Sequence, residues 1–64
     1  MFETIVNEIL DATTADALAR AECHYDIDAS QGAITEDQRI ALARINDLVG
    51  ARITIAHLAA RLDA

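Results

Sequence analysis

The stretch that decides the fold is EDQRIALARINDLVGARITIAHLAARL, residues 36–62. Ala41, Leu42, Ile45, Leu48, Val49, Ile55, Ala56, Ala59 and Leu62 recur at spacings of three and four, which is the helical period. At 1.5 Å per residue such a helix runs about 40 Å. Residues 1–35 can cover one side of it and little more, so the pattern predicts a second helix folded against the first and a second copy of the chain on what is left. Just upstream, Thr35-Glu36-Asp37-Gln38 is a capping-box sequence: the Thr hydroxyl can accept from the Gln38 amide, and the Gln38 side chain can reach back. Glu36 and Asp37 add negative charge at the positive end of the helix dipole. Gly50 lies inside the periodic run and costs about 1 kcal/mol against Ala. The stripe keeps its phase across it, which favours one helix with a close approach or mild bend there.

Working outward, residues 26–34 read Asp-Ile-Asp-Ala-Ser-Gln-Gly-Ala-Ile, a cluster of turn formers that predicts the connection. Before it, Phe2, Ile5, Val6, Ile9, Leu10, Thr13 and Ala17 share a helical face that drifts toward Leu18, Ala21 and Tyr25. With no Gly or Pro to stop it, the expectation is one helix over residues 2–25. The alternative is a break near Thr13 and Thr14, either of which can cap a new helix; Thr13 has Asp16 three residues on. The expected fold is all-α: a two-helix antiparallel hairpin, one domain over 1–64, with helices at about 2–25 and 36–62 and a loop at 26–34. Short connections make long helices antiparallel neighbours, which would set Ile9 near Arg52 and Ile5 near Ala56.

Size strengthens the expectation of self-association. A 64-residue chain gains only a few kcal/mol from one core and commonly adds disulfides, a metal or oligomerisation. Cys23 is the only cysteine, which excludes an internal disulfide and offers no zinc cluster. Oligomerisation remains, as a dimer whose apolar faces form a four-helix bundle. The residues expected at that interface are Ile45, Leu48, Val49, Arg52, Ile55 and Ala56. Within it, Arg52 sits mid-stripe and calls for an acid such as Glu8, Asp11 or Asp16. Asp16 and Arg20, spaced i, i+4 in the favourable order, would join Arg52 as a polar layer or contact a ligand. The plainer reading has Arg52 snorkelling to the edge of a narrow bundle and the 16/20 pair exposed.

Charge narrows the function. The net charge is −6, with five Arg and no Lys. That balance opposes binding to nucleic-acid backbone and to anionic membranes, and suits a basic protein partner. No stretch reaches the roughly 20 apolar residues of a membrane span, the first residues lack the pattern of a signal peptide, and a lone Cys fits a reducing cytoplasm. Residues 53–62 resemble the first helix of helix-turn-helix domains, but no recognition helix follows, so direct nucleic-acid reading is not expected.

Candidate chemistry is sparse. Asp26, Asp28 and Ser30 alternate before Gly32 and Ile34, with Glu36 and Asp37 beyond; this resembles the calcium loop of EF-hand proteins, which lies between two helices. The resemblance implies Asp26, Asp28, Ser30 and Asp37 as ligands, although Gln31 adds one residue before the Gly and throws the last ligand out of step. The plainer reading is a polar interhelical loop. Cys23, His24 and His57 have no metal-ligand or dyad spacing. With no nucleophile, acid or base placed by a recognisable motif and no cofactor implied, the expected function is that of a small acidic, non-enzymatic regulator, inhibitor or adaptor, by analogy with phage and plasmid proteins of this size. A calcium module, or an anion or nucleotide binder using Arg20 and Arg52 at an oligomer interface, are the alternatives.

Overall fold

The computed structural model describes residues 1–63 and is helical throughout its elements: α1 (Phe2–Asp11), α2 (Ala15–Ser30) and α3 (Glu36–Asp63). The two-helix hairpin is therefore corrected to three helices. The break falls at Ala12–Thr14, where Ala12 is extended (φ −66°, ψ 135°) and its amide turns back to the Ile9 carbonyl. Thr14, also extended, caps α2 by accepting from the Ala17 amide at 3.1 Å. Two successive β-branched residues with capping hydroxyls suffice to interrupt the helix; neither Gly nor Pro is needed.

The break reverses the direction of the first segment. Val6 and Leu10 lie beside Ile45, Leu48 and Val49, and Ala12 and Thr13 lie beside Ile53 and Ala56. Thus α1 runs alongside α3 in the same sense, opposite to the register expected for a hairpin, while α2 runs back against both. Folding α1 onto α2 buries Ile5, Ile9 and Ala12, which a continuous helix would have left on a stripe α3 alone could not cover. The core is these three with Leu18, Ala21, Tyr25, Ile34, Leu42 and Val49. Each fully buried Ile or Leu stabilises the fold by about 2 kcal/mol.

The second turn differs in place as well as kind. The expected loop at 26–34 shrinks, because α2 continues to Ser30. It ends on a Schellman closure: Ala33 N donates to Asp28 O at 2.8 Å and Gly32 N to Ala29 O at 3.2 Å, with Gly32 at φ 76°. Glycine occupies that left-handed position without the Cβ penalty. The capping box forms reciprocally, with Gln38 N to Thr35 Oγ1 at 3.1 Å and Thr35 N to Gln38 Oε1 at 2.9 Å. One turn on, Arg39 grips Glu36 through Nε (2.9 Å) and Nη2 (2.6 Å). The pairing holds the Glu36 carboxyl below its ordinary range and raises Arg39.

α3 passes unbroken through Gly50, which sits where α2 comes close: a Cβ there would stand 3.5 Å from Leu18 Cδ1. The lengths of the helices set the shape. α1 and α2 span about 15 and 24 Å, and α3 about 42 Å, so the bundle measures 46 × 17 × 15 Å and the end of α3 stands clear. Every residue from 54 to 63 is exposed.

Candidate interaction surfaces

The proposed calcium loop does not exist as a loop. Asp26 and Asp28 lie within α2 and Ser30 is its last residue, with its hydroxyl donating to the Ile27 carbonyl at 2.8 Å. In a helix, alternating residues point some 200° apart, so the carboxylates that would converge in a loop diverge here. The reason is helical continuation to Ser30: Ala21 and Tyr25 anchor the buried face of α2, which leaves Asp26 exposed and Asp28 half-buried on different sides of the helix. Among the described residues no group of three or more His, Cys, Asp or Glu is placed to hold a metal ion.

Within one protomer the polar layer does not assemble. Asp16, Arg20 and Arg52 are all exposed, and among the described residues the ion pairs are His24–Glu8 and Arg39–Glu36. Of the acids expected to meet Arg52, Glu8 is engaged elsewhere: both its oxygens lie 2.8 Å from His24 Nδ1, tying α1 to α2. Arg52 instead stands at the rim of two grooves flanking α3. One, of about 420 Å³, is lined by Val6, Leu10, Ile45, Leu48, Val49 and Arg52. The other, of about 200 Å³, is lined by Ala12, Thr13, Arg52, Ile53, Ala56 and His57. Cys23 is exposed.

The interior polar contact is one that the sequence reading passed over. Asn46 is buried, and its Nδ2 donates to the Leu18 carbonyl at 3.3 Å and the Tyr25 hydroxyl at 3.4 Å. Burial pushes the Tyr25 hydroxyl above its ordinary range, against the opposing effect of the Asn46 hydrogen bond. The signal was present: Asn46 stands four residues after Leu42 and three before Val49, on the apolar track. Among the described residues no buried side-chain nitrogen or oxygen lacks a hydrogen-bond partner.

The six residues expected at an interface divide. Val49 is buried in the protomer's own core and Ile45 is packed against it. Leu48, Arg52, Ile55 and Ala56 face solvent, with Leu48 72% and Ile55 65% exposed. Leu62, at 86%, and Leu58, at 50%, extend the uncovered apolar surface to the end of α3.

Charge is divided just as sharply. Residues 1–30 hold Glu3, Glu8, Asp11, Asp16, Glu22, Asp26 and Asp28 against Arg20 alone. Residues 31–64 balance Glu36, Asp37, Asp47 and Asp63 with Arg39, Arg44, Arg52 and Arg61. The whole net charge of −6 therefore sits on α1 and α2, while α3 is neutral. No helix among the described residues is long and apolar enough to cross a membrane. Compared with protein-family models, with curated proteins and with solved structures, the chain matches none.

Proposed function

We propose that this chain is a non-enzymatic interaction protein of the regulator or adaptor kind, self-associating and offering its acidic α1–α2 surface to a basic protein partner. The observation that supports this reading is the segregation of charge. Seven carboxylates and one Arg on two short helices make a field of one sign, which steers a cationic surface toward it. The neutral, partly apolar α3 is left for assembly. No feature of the helices favours a reacting centre over a binding surface.

The test is affinity capture from the native host with two baits, the intact chain and one carrying Glu3→Gln, Asp11→Asn, Asp16→Asn and Glu22→Gln, all exposed positions. A basic protein held by the intact bait, released by raised salt and absent from the neutralised bait is the expected result. A partner held equally by both would sink the role assigned to the acidic surface.

A further inference from the structure

We propose that α3 carries a second, outward seam that pairs antiparallel with the same seam of a second copy, seating residues 55–62 of each protomer in the other's α1–α3 groove. The proposal rests on the self-association half of the function above, and its test reads dimer mass and helix direction rather than capture of a basic partner.

Ile45, Leu48, Arg52, Ile55, Ala59 and Leu62 follow one another at alternating spacings of three and four, the 3.5-residue repeat of paired helices. Apart from Ile45, which is half-buried against the core, this is not the track that faces the protomer's own interior, which runs through Leu42, Asn46, Val49 and Ile53. At 100° per residue the two tracks lie roughly a third of a turn apart. α3 is thus apolar on two faces, and α1 and α2 are long enough to cover only part of one.

The uncovered seam has two halves that fit each other. Toward its start it forms one wall of the groove of about 420 Å³, with Val6 and Leu10 of α1 opposite. Toward its end it is a bare helix. The groove length from Ile45 to Arg52 and the overhang length from Ile55 to Leu62 are each about 10 Å. Antiparallel pairing sets Ile45 opposite the partner's Leu62, Leu48 opposite the partner's Ala59, and Arg52 opposite the partner's Ile55. Each half fills the other by one two-fold operation, and the seam closes with two copies.

Charge selects a second copy as the occupant. Within residues 55–62 the one formal charge is Arg61, whereas α1, which flanks the groove, carries the exposed carboxylates Glu3 and Asp11 and no base. The positive end of the overhang then lies along an acidic helix. In this register Arg52 lies beside the partner's Ile55 close to the two-fold axis, with its long side chain free to carry the guanidinium to the rim.

The experiment is sedimentation equilibrium on the full chain across the micromolar range, with cross-linking to read direction. The intact chain is expected at twice its 6.9 kDa mass. A chain carrying Leu48→Glu and Ile55→Glu, both exposed positions, is expected at half the dimer mass with its helical circular dichroism retained. In a Cys23→Ser background, Leu48→Cys together with Ala59→Cys should oxidise to a covalent dimer, and Leu62→Cys alone should not. An intact chain that stays monomeric throughout overturns both this seam and the self-association beneath it. A dimer that survives the two glutamates, cross-links through Leu62→Cys, or fails to cross-link through the 48/59 pair overturns the antiparallel seam and leaves self-association standing.

Discussion

The two halves of α3 have the same period and similar composition, yet opposite surroundings. Up to Ile53, the track through Leu42, Asn46 and Val49 is sealed by α1 and α2. Beyond it, Ile55, Leu58 and Leu62 stand in water. Nothing intrinsic to the second half makes it less able to form a core; the covering helices simply end. Periodicity reports that a segment is helical and which residues share a face. What covers that face depends on the lengths of other elements.

The comparison breaks most readily at its largest contrast. Leu42 is fully buried, and Leu42→Ala should cost about 2–5 kcal/mol, comparable with the whole stability of so small a domain. Leu62→Ala, at concentrations where the chain is a monomer, should stay within about 0.5 kcal/mol. Urea unfolding followed by circular dichroism reads both. Equal costs would mean that the overhang is packed on its own protomer. Next in size is Asn46→Ala, which leaves the Tyr25 hydroxyl without its buried donor and should cost about 1–3 kcal/mol. An unchanged midpoint would show that the polar contact contributes nothing to the sealed half.

Much of this was legible in the sequence, and the failures have definite causes. The all-helical class, the Thr35–Gln38 box and continuity through Gly50 were readable because each rests on local chemistry. A break near Thr13 and Thr14 was the second of two readings the sequence allows, disfavoured only because no Gly or Pro enforces it; a threonine cap is enough. That error carried the hairpin register with it, since α1 turns round. The acids at Asp26 and Asp28 looked like loop residues because composition cannot separate an exposed helical face from a turn. The interface set mixed Val49 with Leu48 and Ile55 because alanines widen the apolar arc until two faces read as one stripe. Glu8 and His24, sixteen residues apart, left no local signal at all.

The two glycines sharpen the same contrast at about 1 kcal/mol each, with opposite signs. Gly32 is at φ 76° with nothing within 4 Å of an added Cβ, so Gly32→Ala should lose about 1 kcal/mol from backbone strain alone. Gly50 is helical, and its added Cβ would meet Leu18 Cδ1 at 3.5 Å, an ordinary contact. Gly50→Ala should therefore gain about 1 kcal/mol. A loss there would mean that α2 and α3 need a closer approach than this spacing describes, and the sealed half would be more tightly packed than its neighbours indicate.

The smallest effect is also the most local. Tyr25 is the one tyrosine and there is no tryptophan, so phenolate absorbance reports a single group between α2 and the sealed half of α3. Burial raises its pKa from 10.0, with the nearby carboxylates of Glu22, Asp26 and Asp47 adding to the shift. The folded state therefore holds the phenolic proton more tightly than the unfolded chain. The resulting stability is fully present below pH 10 and is lost as pH rises through the folded-state value. Titration of the native protein should give a midpoint above that of the urea-unfolded chain. In Asn46→Ala the midpoint should rise further provided the ring stays buried, because the hydrogen bond that favours phenolate is gone. A native midpoint equal to the unfolded one would place the hydroxyl in water and reopen the core between Leu18 and Leu42.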